Sequence, residues 1–479
     1  MHKVRPTIVW FRQDLRLTDN PALITAVDSG AQILPIYILD DENAGDWKMG
    51  GASRWWLHQS LESLDKSLQG ELRLLRGDAA KLLPSVAEQV NAEQVVWNRC
   101  YEPWRIARDR LIMAKLREVG VTVKSHNGSL LFEPQGITKA DGTPYKVFTP
   151  FYRKGCLAPE HDPRPVAASP KALNIADDSI GVTLADLELM PRVPWYRDMA
   201  RHWSPGEEGA QARLKDFLAT GIQNYQEGRN RPDKTNCSRL SPHLHFGEIS
   251  PHQVWQATRS LENRPALRAD VDHFRSELGW REFSHYLLYH WPQLPRDNLQ
   301  EKFDRFPWRE DAVALAQWQR GETGYPIVDA GMRELWRTGF MHNRVRMIVA
   351  SFLVKNLLLH WHNGEAWFWD TLVDADLANN SASWQWVAGS GADAAPYFRI
   401  FNPVLQGQKF DPDGDYVRTY VKEVALLPKK YIHNPWEAPT DVLAQAGVSI
   451  GENYPQPMVD RAESRDRALA AFKSISAAA

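Results

Sequence analysis

The first 125 residues alternate short β-rich runs with helical patterns, and this alternation constrains the fold more than any other feature. Apolar residues at three- and four-residue spacing separate the runs, which predicts helices between strands. Short connections between strands and helices predict a doubly wound parallel sheet with helices on both faces. The β-rich runs are TIVWF (7–11), ILPIYIL (33–39), LRLLRG (72–77), QVVWN (94–98) and VTVKS (121–125).

The remainder of the chain has a different pattern. Residues 131–205 are rich in Pro, Asp, Ala and Gly and weakly periodic, which predicts an interdomain linker with a short helix near 148–154. From residue 206 onward helical spacing dominates, so we expect an all-α domain. The fold class predicted is therefore α/β plus all-α, with an α/β domain at 1–130, the linker at 131–205 and a helical domain at 206–479.

Composition excludes several kinds of protein. The net charge is -2, which argues against a strongly basic nucleic-acid binder but leaves room for a local basic patch. Three widely spaced cysteines indicate neither a disulfide framework nor a zinc site. No secretory signal and no run of about 18 apolar residues is present. We therefore expect a cytoplasmic protein without metal or membrane partner.

Tryptophan is unusually frequent, with 20 in 479 residues. A large aromatic core accounts for most of them, but aromatic faces also stack on bases and flavins. The run SELGWREFS (276–284) places Glu277, Trp280, Arg281 and Ser284 on one stripe of a helix. The spacing alone favours a solvated face with a Glu277–Arg281 pair, whereas the tryptophan favours a cavity wall.

Three further runs combine polar and aromatic residues. In GFMHNRVRM (339–347), Asn343 and Met347 share a helix face, while Arg344 and Arg346 point apart; an ordinary amphipathic helix gives the same pattern. In DADLANNSASWQW (374–386), the acidic and amide side chains suit capping, and Trp384 and Trp386 face different sides. The loop NCSRLSPHL (236–244), before a helix start, is typical of a phosphate cradle.

Long motifs in this order resemble those of the photolyase/cryptochrome family, and the resemblance covers essentially the whole chain. Within the family, the chain resembles most the class I cyclobutane pyrimidine dimer DNA photolyases of bacteria. The motifs are VWFRQDLRLTDNPAL (9–23), TGYPIVDAGMRELWRTGFMHNRVRM (323–347), DADLANNSASWQW (374–386), APYFRIFNP (395–403) and YPQPMVD (454–460).

The resemblance implies light-driven repair, in which excited reduced FAD donates an electron to a pyrimidine dimer flipped out of UV-damaged DNA. Asn380 matches the residue that faces flavin N5, and Arg346 the ion-pair partner of Asp374. Cys237 stands where the family usually has Thr. By position, the residues implied to bind FAD are Tyr225, Cys237, Ser238, Arg239, Leu240, Ser241, Arg346, Asp374, Asp376 and Asn380.

Other positions match residues that act on the dimer or carry electrons. Glu277, Asn343, Met347 and Asn380 match catalytic positions, and Ser284 stands where a larger residue is frequent. Trp384, Trp361 and Trp308 match a chain that carries electrons between flavin and surface. The residues implied to bind DNA are Arg229, Glu277, Trp280, Arg281, Asn343, Arg344, Trp386 and Gln406.

The resemblance leaves two points open. Trp104 and Arg105 replace the Asn-Glu pair of folate-binding relatives, while residues 50–61 are similar to relatives that bind a deazaflavin. The second antenna chromophore is therefore 8-hydroxydeazaflavin, methenyltetrahydrofolate or absent. The alternative to repair is a cryptochrome-type blue-light photoreceptor that signals through a protein partner. Asn380, in place of the Asp of plant cryptochromes, favours a repair enzyme, and the single His342 favours cyclobutane dimers over (6-4) photoproducts. We expect the protein to be a monomer.

Overall fold

A computed structural model describes residues 5–176, 178–393 and 398–476. Within these residues, one parallel sheet has the strand order β3-β2-β1-β4-β5. The sheet lies in the first 126 residues and helices follow it, so the predicted α/β plus all-α fold is confirmed. The strands are β1 (Thr7–Phe11), β2 (Ile33–Leu39), β3 (Arg73–Arg76), β4 (Gln94–Asn98) and β5 (Thr122–His126).

The helices of the first half are α1 (Pro21–Asp28), α2 (Asp41–Ala44), α3 (Gly51–Ser67), α4 (Ala79–Gln89), α5 (Pro103–Glu118), α6 (Phe148–Pro150), α7 (Arg197–Ala200), α8 (Glu207–Asp216), α9 (Tyr225–Gly228) and α10 (Ser241–His245). Those that follow are α11 (Pro251–Arg259), α12 (Arg268–His290), α13 (Ala312–Arg320), α14 (Pro326–Thr338), α15 (Asn343–Ser351), α16 (Trp361–Thr371), α17 (Leu377–Ala388), α18 (Pro403–Phe410), α19 (Asp415–Tyr420), α20 (Thr440–Gln445) and α21 (Arg461–Ser476).

The central strand β1 is buried on both faces, as a parallel sheet covered by helices requires. Ile8 and Trp10 lie in one core cluster with Leu83 of α4. Val9 and Phe11 alternate with them and are also fully buried, so they point to the opposite face. The continuous apolar run TIVWF is the sequence signature of this double burial.

The chain forms two compact units, which differ from the linear division of the sequence. Unit 1 contains Met1–Ala219, Ser238–Pro292 and Val373–Ala378. Unit 2 contains Thr220–Cys237, Gln293–Leu372 and Asn379–Ala479. The bounds predicted for the α/β domain, linker and helical domain stay predictions.

In unit 1, part of the predicted linker packs against the long helix α12. The short helix predicted near 148–154 is present as α6, followed by a π-helical turn at Phe151–Cys156. A β-carbon on Gly279 would lie 2.5 Å from the Tyr152 ring, so glycine allows this close approach. The run SPHQ (250–253) predicts a helix start with Ser250 as its cap and Pro251 in the first turn. The structure confirms it, because Ser250 accepts from the backbone N–H of Gln253 at the start of α11.

The motif TGYPIVDAG has a structural role in unit 2. Asp329, on α14, is fully buried. Its Oδ1 accepts hydrogen bonds from the Thr323 backbone N–H and hydroxyl at 2.7 Å, and its Oδ2 accepts one from the Tyr454 hydroxyl at 2.7 Å. One buried acceptor thus joins the signature motif to the C-terminal segment that carries YPQPMVD.

The loop after β1 lies so close to Gly247 that no side chain fits at position 247. Gly247 has a φ of +67, and a β-carbon there would lie 2.0 Å from the Gln13 carbonyl oxygen. We predict that Gly247→Ala lowers the free energy of unfolding by about 3 kcal/mol or more, from backbone strain and overlap together. Urea titration measures this loss.

The matched control is Gly120→Ala. Gly120 has a φ of +75 and nothing within 4 Å of a β-carbon, so that only backbone strain should remain, about 1 kcal/mol. Equal losses in the two variants would show that contact with Gln13 does not constrain the fold.

Candidate functional site

The loop before α10 has the geometry of an anion site. Arg239 adopts a left-handed φ of 55, and Leu240 after it is right-handed. When neighbouring residues have left- and right-handed backbone conformations, their successive N–H groups point to one side of the chain. N–H groups arranged in this way bind phosphate well. The Ser241 hydroxyl donates to Asp374 Oδ2 at 2.6 Å, which joins the loop to the DAD motif within unit 1. These residues fit the phosphates and hydroxyls of a dinucleotide.

The second carboxylate of the motif, Asp376, lies between two histidines. Asp376 Oδ2 is 3.4 Å from His245 Nδ1 and 3.5 Å from His285 Nε2. Burial alone would raise the pKa of Asp376, but the histidines lower it well below its usual range. Asp376 therefore keeps its negative charge in the interior of unit 1.

The α12 stripe is not a uniformly solvated face. Trp280 stacks on Phe148 with ring centres 3.7 Å apart. Arg281 donates to the Ser129 carbonyl at 2.8 Å, and Glu277 Oε1 lies 4.0 Å from His273 Nε2. The stripe thus combines a supported indole platform with a half-buried carboxylate.

Ser284, the last member of the stripe, donates its hydroxyl to the Trp280 carbonyl at 3.1 Å and is buried. This bond lies within the helix itself.

In unit 2, Asn380 lies beside a buried acid that the sequence did not indicate. The Asn380 side-chain amide donates to the Glu365 carbonyl oxygen at 3.0 Å. The Glu365 carboxyl, only 4% exposed, accepts from the Ser381 hydroxyl at 2.5 Å. Burial raises the pKa of Glu365 to about 8, against the opposing effect of Ser381. Glu365 is therefore uncharged at neutral pH, and Asn380 has a fixed orientation.

Two of the three tryptophans predicted to carry electrons are in contact through an intervening ring. Trp361 is fully buried, and its ring centre lies 5.6 Å from that of His360. The His360 ring centre lies 5.1 Å from that of Trp308, which is partly buried. Trp384 is also buried and packs edge-on against Phe368 at 5.0 Å.

The two arginines of HNRVRM diverge, as their spacing predicts. Arg344 donates to Asn230 Oδ1 at 2.5 Å, and its Nη1 lies 3.6 Å from Met347 Sδ. Arg346 donates to the Met341 carbonyl at 2.7 Å. The ion pair between Arg346 and Asp374 stays a prediction.

Asn343 is exposed at the start of α15, one turn before the partly buried Met347. The two residues therefore differ in exposure although they share a helix face.

The remaining predicted site residues of unit 2 are spread over several elements. Tyr225 is buried at the start of α9, and the Arg229 guanidinium lies 5.9 Å from the centre of its ring. Trp386 donates to the Asp393 carbonyl at 3.0 Å and lines a cavity with Lys355. Cys237 and Gln406 are partly exposed. The first three residues of APYFRIFNP lie outside the described residues.

Charged residues fill the carboxyl end of the sheet beside β1 and β4, where strand order reverses. Ligands often bind at such a point. Here Arg12 pairs with Asp109 at 2.5 Å, and Arg108 Nη1 lies 3.1 Å from Asp40 Oδ2. Arg105 lies over the Trp104 ring at 4.7 Å. The second chromophore stays a prediction.

Across the described residues there is no group of three or more His, Cys, Asp or Glu that could hold a metal ion. Over the same ranges no helix is long and apolar enough to cross a membrane. Cys100, Cys156 and Cys237 form no disulfide in this part of the chain.

Sequence reasoning missed several residues of the candidate site. Glu365 and Phe148 have no local signal, because their partners Ser381 and Trp280 are distant in sequence. His285 had a weak signal, since it follows Arg281 by one helical turn and so extends the polar stripe.

Glu365 generates a pH-dependent stability prediction. Its folded-state pKa of about 8 lies above the unfolded value near 4.3, so the stability it contributes is complete below that value and is lost as pH rises through 8. Glu365→Gln removes this titration and keeps an acceptor for Ser381. We predict that the stability of the variant relative to the parent rises by about 4 kcal/mol between pH 4.5 and pH 8.

Urea titration at the two pH values measures the difference. Glu452→Gln, at an exposed position, is the control and should change stability little at either pH. A Glu365→Gln difference that does not depend on pH would contradict the raised pKa.

Comparison with known proteins relates this geometry to a family. Residues 7–171 match the family model described as DNA photolyase, and residues 274–474 match the one described as FAD binding domain of DNA photolyase. The chain is 51% identical to the deoxyribodipyrimidine photo-lyase of Agrobacterium fabrum, over 99% of this chain and 98% of that protein. It is 38% identical to Cryptochrome-2 of Arabidopsis thaliana, over 95% of this chain and 77% of that protein.

Among solved structures, the chain is similar to a bacterial class III photolyase from Agrobacterium tumefaciens. The TM-score is 0.95 with 50% sequence identity, and the match covers 99% of this chain and 98% of that one. Identity at this level over almost the full length of both proteins shows that the chain belongs to the photolyase/cryptochrome family.

Proposed function

We propose that the protein repairs cyclobutane pyrimidine dimers in DNA, using light and bound reduced FAD. The observation that carries the proposal is the α12 stripe, where Glu277 lies one turn from a Trp280 ring supported by Phe148 at 3.7 Å. Such a platform is suited to stack a flipped base, with a carboxyl nearby for hydrogen bonds. The 51% identity to a deoxyribodipyrimidine photo-lyase supports the same activity.

We propose that FAD is held by the residues the family resemblance indicates. The phosphates would bind the 238–241 loop. There the left-handed backbone of Arg239 and the right-handed backbone of Leu240 present N–H donors. When bound and reduced, FAD supplies the light-excited electron that splits the dimer. The full proposed set is Tyr225, Cys237, Ser238, Arg239, Leu240, Ser241, Arg346, Asp374, Asp376 and Asn380.

Asn380 is proposed to place a neutral amide beside flavin N5. Its bond to the Glu365 carbonyl fixes the side chain, and the raised pKa of Glu365 keeps a second charge out of the same region. A carboxylate at position 380 would repel a reduced anionic flavin. The chain's residues thus favour retention of negative charge on the cofactor.

DNA is proposed to contact residues of three kinds. Trp280 and Trp386 stack on the flipped dimer, at about 1–3 kcal/mol per base. Glu277, Asn343 and Met347 line its pocket. Cationic and amide side chains bind the backbone, where Arg229, Arg281, Arg344 and Gln406 are the proposed residues.

The lesion and the subclass are part of the proposal. His342 caps α15 by accepting from the Arg344 backbone N–H at 3.2 Å, and Asn343 follows it. A single capping histidine fits cyclobutane dimers better than (6-4) photoproducts. The motifs favour class I, whereas one similar solved structure is that of a class III photolyase, so the subclass stays a prediction. The deazaflavin or folate antenna also stays a prediction.

A blue-light photoreceptor is the second candidate, because Arabidopsis Cryptochrome-2 is 38% identical over 95% of the chain. Both candidates use a flavin and an electron path through tryptophan. They differ in whether a dimer is split.

Repair in the test tube distinguishes the two candidates. The FAD-loaded protein is reduced anaerobically and mixed with an oligonucleotide that contains one thymine cyclobutane dimer. We expect intact thymines after blue light and none in darkness. Bound, reduced flavin with an unrepaired dimer would overturn the proposal and favour the photoreceptor.

Glu277→Ala tests the carboxyl in the proposed pocket. We predict that the variant retains FAD and binds damaged DNA, but splits fewer dimers per absorbed photon, because the negative charge that develops on the dimer loses the hydrogen bond that the protonated Glu277 carboxyl would donate. Loss of a positioned donor costs roughly tenfold or more in such sites. Glu277→Gln should recover part of the yield, and an unchanged yield in Glu277→Ala would exclude the proposed role.

Trp308→Phe tests the electron path. Trp308 contacts His360, which contacts Trp361, so removal of the partly exposed indole should interrupt delivery of electrons to oxidised flavin. We predict that photoreduction slows at least tenfold, whereas pre-reduced protein repairs dimers normally. Trp195→Phe, at a partly buried position in unit 1, is the control. Parallel loss of photoreduction and repair would refute the assigned route.

A further inference from the structure

His285 has a hydrogen-bond acceptor beside each of its two ring nitrogens. Nδ1 lies 3.0 Å from the Arg281 carbonyl oxygen, one turn earlier on α12. Nε2 lies 3.5 Å from Asp376 Oδ2. A neutral imidazole donates from one nitrogen only, whereas an imidazolium donates from both. A carbonyl and a carboxylate cannot donate in return, so the protonated ring is the form that directs an N–H toward both oxygens.

The charges around His285 are consistent with this state. Asp376 faces Nε2 and also lies 3.4 Å from His245 Nδ1, on α10. Arg281 and Glu282 are its titratable neighbours on α12. Glu282 accepts the backbone N–H groups of Leu131 and Phe132. Burial and Arg281 lower the pKa of His285, but Asp376 raises it further, so the net pKa is above the usual value.

We propose that His285 is a positioning residue that carries a positive charge at neutral pH and cancels the charge of Asp376 next to the expected flavin. The inference rests on the proposed function, because it needs FAD near Asp376. An unpaired buried carboxylate there would oppose the gain of negative charge when FAD is reduced. When it is paired with His285, Asp376 can bind the cofactor without opposing the reduction of FAD.

The coupling between the two charges must be reciprocal. If protonated His285 favours the reduced cofactor by a given factor, reduction raises the proton affinity of His285 by the same factor. We expect this factor to be tenfold or more. A tenfold factor equals a change of about 30 mV in the midpoint potential of a two-electron couple. Two independent measurements, a potential and a protonation state, therefore test one interaction.

The experiment uses FAD-loaded protein with 15N-labelled histidine. We expect the His285 signals, assigned from the His285→Gln spectrum, to show two N–H groups at pH 7.5. The flavin midpoint potential of His285→Gln should be at least 30 mV lower than that of the parent, equal to a tenfold loss. His285→Arg keeps the cation and should recover most of the potential. His290→Gln, near the end of the same helix, is the control and should leave the potential unchanged.

Asp376→Asn is the second variant, used also if His285→Gln does not fold. Removal of the carboxylate should return His285 to a ring with one N–H at pH 7.5. A neutral His285 in the parent, or an unchanged potential in His285→Gln, would overturn the inference.

Neither readout requires DNA or repair. Failure of repair with both readouts intact therefore overturns the proposed function alone, whereas failure to retain flavin overturns both.

Discussion

A single buried carboxylate determines how the elements around the candidate phosphate loop are assembled. Glu248 is fully buried, and its Oε1 accepts from Trp56 Nε1 at 2.9 Å and from the Gly206 backbone N–H at 2.7 Å. Its Oε2 is hydrogen-bonded to His243 Nδ1. A buried charge without partners would cost several kcal/mol, so these donors must converge when unit 1 folds. The convergence fixes α3, the start of α8 and α10 together, and the 238–241 loop immediately precedes α10.

Buried polar groups have the same organising role at the other candidate positions. Asp376 is held by two histidines, and Glu365 by a hydroxyl. Burial raises the pKa of both acids, but their neighbours differ: interactions with His285 and His245 lower the pKa of Asp376 well below its usual range, whereas only the Ser381 hydroxyl opposes burial at Glu365. The two acids are eleven residues apart in sequence, and their local neighbours alone give them different pKa directions.

Aromatic residues serve two physical purposes in this molecule. Most bury apolar surface in a core. Trp10 and Trp97, for example, pack edge-on within the sheet core with ring centres 5.7 Å apart. Others have a polar or half-exposed environment, such as Trp280 on Phe148 and Trp308 beside His360. The excess of tryptophan therefore has both a structural and a proposed functional origin, and composition alone does not separate the two. Only the neighbours of each ring do so.

The sequence by itself determined what depends on local patterns. The run TIVWF indicated a strand buried on both faces, Ser250 and Pro251 indicated a helix start, and the spacing of Arg344 and Arg346 indicated that they diverge. Long-range contacts could not be read in this way. The run NRVRMIVASFLVKNLLLHW (343–361) has apolar residues at helical spacing. This pattern gave no sign that the regular helix ends at Ser351 or that Leu358 is left-handed with a φ of 57. Only the tertiary structure brought Phe148 onto Trp280, Glu365 beside Ser381 and His285 to Asp376, because each pair joins residues many turns apart whose approach depends on packing of the whole unit.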